Sequence, residues 1–121
     1  MLATERLLEI EAAFANQVAR IVVLELDGET LRLILYLNDG ANLRVTEQWD
    51  RDKLKRYSYY WLTGENQLKI GWDNAPHHTK LSTFPHHKHV DGKLAPEALM
   101  ETSLEDVMAV ILSSEAGKAS P

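Results

Sequence analysis

A chain of 121 residues with 45% apolar and 26% charged side chains has the composition of a single globular domain, long enough to bury one core without covalent staples. It contains no cysteine, which excludes disulfides, thiolate metal ligands and thiol nucleophiles and fits a reducing compartment. The net charge of −5 excludes bulk attraction to nucleic acid. The charge is nonetheless uneven. Residues 1–40 carry three basic and seven acidic side chains, residues 41–93 nine and six, and residues 94–121 one and five. A mildly basic middle lies between acidic ends, so a phosphate ligand has a local attraction there that the total conceals.

The start, Met1 to Arg6, lacks a basic region followed by an apolar run, and no uninterrupted apolar stretch approaches the roughly 18 residues of a membrane span. The expectation is a cytoplasmic protein with no membrane partner. The first element is a predicted helix over 4–17, where Leu7, Ile10, Phe14 and Val18 recur at helical spacing. Strands follow. Residues 20–26 form an apolar run closed by the Asp27-Gly28 turn, and 30–37 return to a second turn at Asn38-Asp39-Gly40. Both runs are nearly continuous in apolar residues, which predicts central strands, buried on both faces or against a partner.

Residues 42–49 alternate, with Leu43, Val45 and Trp49 on one side and Asn42, Arg44, Thr46 and Gln48 on the other. Residues 54–62 set Tyr57, Tyr59 and Trp61 against Arg56, Ser58 and Tyr60, and 67–72 set Leu68, Ile70 and Trp72 against Gln67, Lys69 and Gly71. Aromatics at alternating strand positions are core formers first. Interleaved with Arg56 and Lys69, they leave a base-stacking sheet as the functional alternative. A long loop over 73–93 comes next, then a short helical turn after Pro96. A final helix over 103–115 begins at overlapping capping boxes, Thr102 to Glu105 and Ser103 to Asp106, and stops before Gly117. The predicted fold is α+β: one domain, a five-stranded antiparallel meander packed with N-terminal and C-terminal helices.

The loop holds every histidine of the chain. His77, His78, His86, His87 and His89 fall within 13 residues, in a connection long enough to suggest function by its length alone. Asp73 stands at the end of the fifth strand, with Asn74 and Pro76 shaping the exit. In an extended segment His87 and His89 share a side, whereas only one of His77 and His78 can face any given point.

Three chemistries suit the cluster. A metal site would draw on His78, His87, His89 and Asp73, although no standard ligand spacing is present. Acid/base cleavage of a phosphodiester needs one histidine to take the 2′-hydroxyl proton and another to protonate the leaving oxygen. A cation must also meet the phosphorane, and Lys80, Lys88 and Arg56 are candidates. In the structural alternative the histidines donate to backbone carbonyls and hold the loop together.

The segments Arg56-Tyr57-Ser58-Tyr59, Trp72-Asp73-Asn74-Ala75-Pro76-His77-His78 and Phe84-Pro85-His86-His87-Lys88-His89 resemble the TumE family of small bacterial and archaeal proteins. The resemblance extends to the Leu104-Glu105-Asp106-Val107 helix. That family is described as toxins of type II toxin–antitoxin systems, so the resemblance implies a cognate protein antitoxin. The residues it implies as functional are Tyr57, Asp73, Asn74, His77, His78, His86, His87, Lys88 and His89. The family often has arginine two positions before its Asp-Asn aspartate; Gly71 stands there in this chain, and no arginine role carries over.

The function expected is an RNA-directed toxin working as a metal-independent ribonuclease. Catalysis would fall to His77, His78, His86, His87, His89, Asp73 and Lys88, and substrate binding to Tyr57, Asn74, Arg56 and Lys80. No cofactor is expected, a divalent transition metal being the alternative. A non-enzymatic binding module and a metal-dependent hydrolase or nucleotide-modifying enzyme are the competing classes. Self-association into a homodimer is a further option beside antitoxin and RNA.

Overall fold

The computed structural model describes residues 1–75, 86–91, 97–98 and 101–119. Helix α1 (Ala3–Phe14) leads into strands β1 (Val18–Asp27), β2 (Thr30–Leu37), β3 (Asn42–Asp50), β4 (Lys53–Leu62) and β5 (Leu68–Asp73). Strands β6 (His87–Val90) and β7 (Glu97–Ala98) follow, and helix α2 (Leu104–Ala119) ends the chain. Every neighbouring pair is antiparallel, and the sheet order is the sequence order, β1 to β7. The expected α+β meander is present and is extended by two short strands.

Turn chemistry explains the connections. Gly28 (φ +56) and Gly40 (φ +93) take positive φ angles that an L side chain resists, and each closes a hairpin. The backbone N–H of Ala3 donates to the Gly28 carbonyl at 2.8 Å, so the first hairpin also seats the start of α1. At α2, the Asp106 N–H donates to Ser103 Oγ and the Thr102 N–H donates to Asp106 Oδ2, both at 3.2 Å. Ser103 therefore caps the helix, and Asp106 reaches back to the residue before the cap.

Four expectations need correction. The segment after Pro96, predicted helical, contains β7, whose Glu97 and Ala98 pair with Lys88 and His87. Helix α2 runs past Gly117 to Ala119, and β6 occupies part of the predicted loop. The first strand is not central. β2 is buried between β1 and β3, whereas β1 forms the sheet's edge and leaves Val23, Leu24 and Leu26 exposed.

The sheet has a dry face and an open one. Leu31, Leu33, Leu35, Leu43, Val45, Tyr57, Tyr59, Trp61 and Trp72 are buried in one cluster with Ile10 and Phe14 of α1 and Leu104, Val107, Met108 and Ile111 of α2. Both helices therefore cover the same face. The strand aromatics are core, as the period-2 pattern predicts, although Trp49 is only half-buried. No helix among the described residues is long and apolar enough to cross a membrane.

The core of the dry face contains a fully buried charge. Glu47, fully buried between Val45 and Trp49, receives Arg6 Nε at 2.7 Å, Arg6 Nη2 at 3.1 Å, the Tyr59 hydroxyl at 2.6 Å and Trp49 Nε1 at 3.0 Å. Arg6 also meets Glu105 of α2 at 2.7 Å and Glu9 at 3.2 Å. Burial works to lower the Arg6 pKa, but hydrogen bonds and charge from Glu47 and Glu105 more than reverse it and hold the guanidinium ionised. Removing Arg6 strands the Glu47 charge, and removing Glu47 takes the one shielded partner from Arg6 and orphans the Tyr59 and Trp49 donors, so Arg6→Met or Glu47→Leu alone is expected to cost about 3–5 kcal/mol in urea denaturation. The double variant should cost less than either single change. Additive losses would show that the two residues act independently.

Candidate functional site

The site grows from the end of β5. Asn74 is buried and its carboxamide continues the ladder: Oδ1 accepts the Tyr57 N–H at 2.8 Å and Nδ2 donates to the Lys55 carbonyl at 3.1 Å. This clamp holds β5 against β4 where the chain leaves the sheet. It gives Asn74, expected to bind substrate, a positioning role.

Asp73, immediately before the clamp, turns to the open face. Its Oδ1 accepts the Ala75 N–H at 2.9 Å, an Asx turn that sets the carboxylate's orientation. Its Oδ2 stands 3.4 Å from the Tyr60 hydroxyl and 3.8 Å from His89 Nε2. The histidine distance is that of an ion pair and longer than a hydrogen bond. Asp73 is almost fully shielded while His89 is about one-third exposed, so the imidazole can reach a ligand while its partner stays dry.

Tyr60 reaches Asp73 by crossing Gly71. The two residues pair directly between β4 and β5, and a Cβ on Gly71 would lie 2.4 Å and 2.6 Å from two ring carbons of Tyr60. Here the missing side chain is the space that the ring occupies. On β6 the register sets His89 opposite Gly71 and His87 opposite Asp73. Asp73, Tyr60 and His89, with Arg56, Thr46 and Ser58, line a pocket of about 250 Å³. A larger hollow of about 460 Å³ is lined by the β3–β4 turn, Asp50 to Lys53, whose two acidic and two basic side chains cancel and include no histidine. The smaller one holds the candidate residues Asp73, His89 and Arg56.

The remaining candidates divide across the sheet. Lys88 pairs with Trp72, which places it on the helix-facing side, away from Asp73 and His89. His86 also meets that side, where its Nδ1 is 3.0 Å from the hydroxyl of the buried Tyr57. Burial first, then the charges of Asp73, Glu101 and Asp106, raises the Tyr57 pKa and keeps the phenol protonated in this contact. His77, His78 and Lys80 lie outside the described residues. Of the conditional metal ligands, Asp73 and His89 are adjacent. Among the described residues no three His, Asp or Glu side chains gather as a ligand set.

Besides Arg56, three arginines that the sequence pattern did not single out complete the open face. Arg20, Arg32, Arg44 and Arg56 recur every 12 residues, one on each of the first four strands, and all are exposed. The register places them with Tyr36 and Tyr60: Arg20 opposes Tyr36, and Arg44 opposes Tyr60. The Arg20 guanidinium lies 4.5 Å from the Tyr36 ring centre. Four of the six arginines thus share a face with the Asp73–His89 pair, and Glu25 is the acid opposite Arg32. A meander whose strands repeat at 12-residue intervals was the available signal.

The described residues thus form a small α+β domain with a carboxylate–histidine pair between β5 and β6 and arginines along the same open face. The comparison with known families is specific: the chain belongs to the TumE toxin family, whose model, described as Toxin TumE, matches residues 5–115. Neither the curated proteins nor the solved structures contain a significant match. The chain is therefore a toxin by family, and an antitoxin is the partner that the family implies.

Two measurements test this geometry. Gly71→Ala drives a methyl group into the Tyr60 ring and should destabilise the fold by about 1–3 kcal/mol. In a Tyr60→Ser background the same change should be nearly neutral, and an undiminished penalty would mean that the ring does not occupy that space. The second is an alkaline titration. The pKa values of Tyr57, Tyr59 and Tyr60 are all raised, by burial first and then by Asp73 or Glu47. The folded state then keeps protons that the unfolded state releases near pH 10, so this stability is complete below about pH 10 and lost as pH rises beyond it. Phenolate absorbance from these three residues should appear together with unfolding, not before it.

Proposed function

We propose that this toxin acts on RNA by metal-independent acid/base cleavage, with His89 as a proton-transfer group and Asp73 as its orienting carboxylate. The observation that carries the reading is the Asp73–His89 contact inside a pocket on the arginine-bearing face. A shielded carboxylate beside a partly exposed imidazole leaves the ring open to a substrate while fixing the side from which it is approached. His87, opposite Asp73 in the β5–β6 register, is the second histidine of the pair.

In this reaction one histidine removes the 2′-hydroxyl proton as that oxygen attacks phosphorus. The bond from phosphorus to the 5′-oxygen breaks, and the other histidine supplies the proton to the leaving oxygen, yielding a 2′,3′-cyclic phosphate. Arg56 meets the developing phosphorane charge from the pocket wall, a role for which Lys88 is on the wrong side of the sheet. Tyr60, whose pKa is raised by burial and by Asp73, stays a neutral hydrogen-bond donor at neutral pH.

The test uses purified toxin without antitoxin, a defined RNA oligonucleotide and a chelator in the buffer. Cyclic-phosphate ends are expected, and His89→Ala should slow cleavage by roughly a hundredfold or more while leaving the melting temperature nearly unchanged. The same variant should relieve growth arrest. Intact RNA with active toxin would favour the binding-module class, and cleavage that requires added divalent metal would favour the metal-dependent one.

A further inference from the structure

Sheet edges in monomeric proteins are ordinarily short, charged or interrupted by proline. β1 carries Arg20, Glu25 and Asp27 and two irregularities, yet it is ten residues long, contains no proline and leaves apolar side chains bare. Of the six large apolar side chains exposed among the described residues, it supplies three, Val23 at 41%, Leu24 at 52% and Leu26 at 41%. No described strand pairs with its outer side. An apolar strand with an unpaired side calls for a second strand, and its own sequence says which.

In the β1–β2 ladder Ala19 and Leu24 stand outside the pairing as irregularities. Val18, Ile21, Val23 and Leu26 oppose Leu37, Leu35, Leu33 and Leu31, so they belong to the helix-facing side. Arg20, Val22 and Glu25 oppose Tyr36, Ile34 and Arg32 and belong to the open side. Two copies of a strand paired antiparallel about an axis perpendicular to the sheet must match residues of the same side. An axis through Val22 does this along the whole strand. Val22 meets its own copy, Ile21 meets Val23, Arg20 meets Glu25 and Val18 meets Leu26. Moving the axis to Ile21 or Val23 sets the charge of Arg20 or Glu25 against Val22.

We infer that β1 is a homodimer interface, in which two copies join edge to edge about Val22 into one continuous sheet. The pairing covers Val23 and Leu26 with Ile21 and Val18 of the other copy. It also inserts two Arg20–Glu25 ion pairs into ladders already begun within each chain, Arg20 on Tyr36 at 4.5 Å and Arg32 to Glu25 at 3.9 Å. A perpendicular axis keeps both open faces on one side. The arginine rows then run together, with the two pockets about 40 Å apart at about 4.8 Å per strand. The inference does not depend on the reaction the pocket performs.

The experiment is sedimentation equilibrium on the full chain at tens of micromolar, where the mass should be twice 13.7 kDa. Arg20→Glu and Glu25→Arg each set like charges opposite one another twice, and each should weaken dimerisation about tenfold or more. An equimolar mixture of the two variants should recover the dimer, because every side chain at position 20 then faces the opposite charge at position 25. That recovery also shows that both variants fold. A wild-type monomer near 100 μM, single variants that dimerise as well as wild type, or a mixture that stays monomeric each overturns the interface. An edge reserved for a strand of the antitoxin would give the first of these results.

Discussion

A carboxylate with no exposed surface must be surrounded by donors, and Glu47 is held by four, from Arg6, Tyr59 and Trp49. Because Arg6 belongs to α1 and reaches Glu105 on α2, this single acid ties both helices to the middle of the sheet. Apolar packing alone lets helices slide on a sheet, being non-directional. A hydrogen-bonded charge network is directional, and leaving it half-made is expensive in a dry environment. The network thus fixes which face of the sheet is dry.

With that face closed, the other is available for chemistry. The two faces are separated by one backbone thickness, and alternation assigns each side chain to one or the other without mixing. Tyr57 and Tyr60 illustrate the result. They are three residues apart on β4, yet Tyr57 meets His86 on the helix side and Tyr60 meets Asp73 on the open side. The histidine-rich return strand is divided in the same way, with Lys88 and His89 on opposite sides.

The Asp73 environment depends on two departures from ordinary strand chemistry. Gly71 lacks the side chain that would block the Tyr60 ring, and Asn74 replaces a backbone partner with its carboxamide. Each is a local feature whose purpose is non-local: the glycine serves a ring on the neighbouring strand, and the asparagine serves the main chain of β4. A glycine in a strand otherwise reads only as a weakness.

Much of this was legible in the sequence. Period-2 alternation placed Tyr57, Tyr59, Trp61 and Trp72 in the core, Asp-Gly pairs located the hairpins, and the paired motifs around Asp73 and His86 identified the family. Glu47 was not legible, because an acid between Val45 and Trp49 looks like a lapse in the pattern until Arg6 is brought across from 41 residues away. The edge position of β1 was hidden for a related reason: an apolar run records that a strand will be covered, not by what. Order along the chain determined local conformation, strand faces and the identity of the reactive groups, since these depend on neighbours within a few residues. Tertiary structure alone decided that β6 returns beside β5, that His89 and not Lys88 shares a face with Asp73, and that an arginine row on β1 to β4 shares that face. Those outcomes depend on strand register, which is set by packing between distant segments.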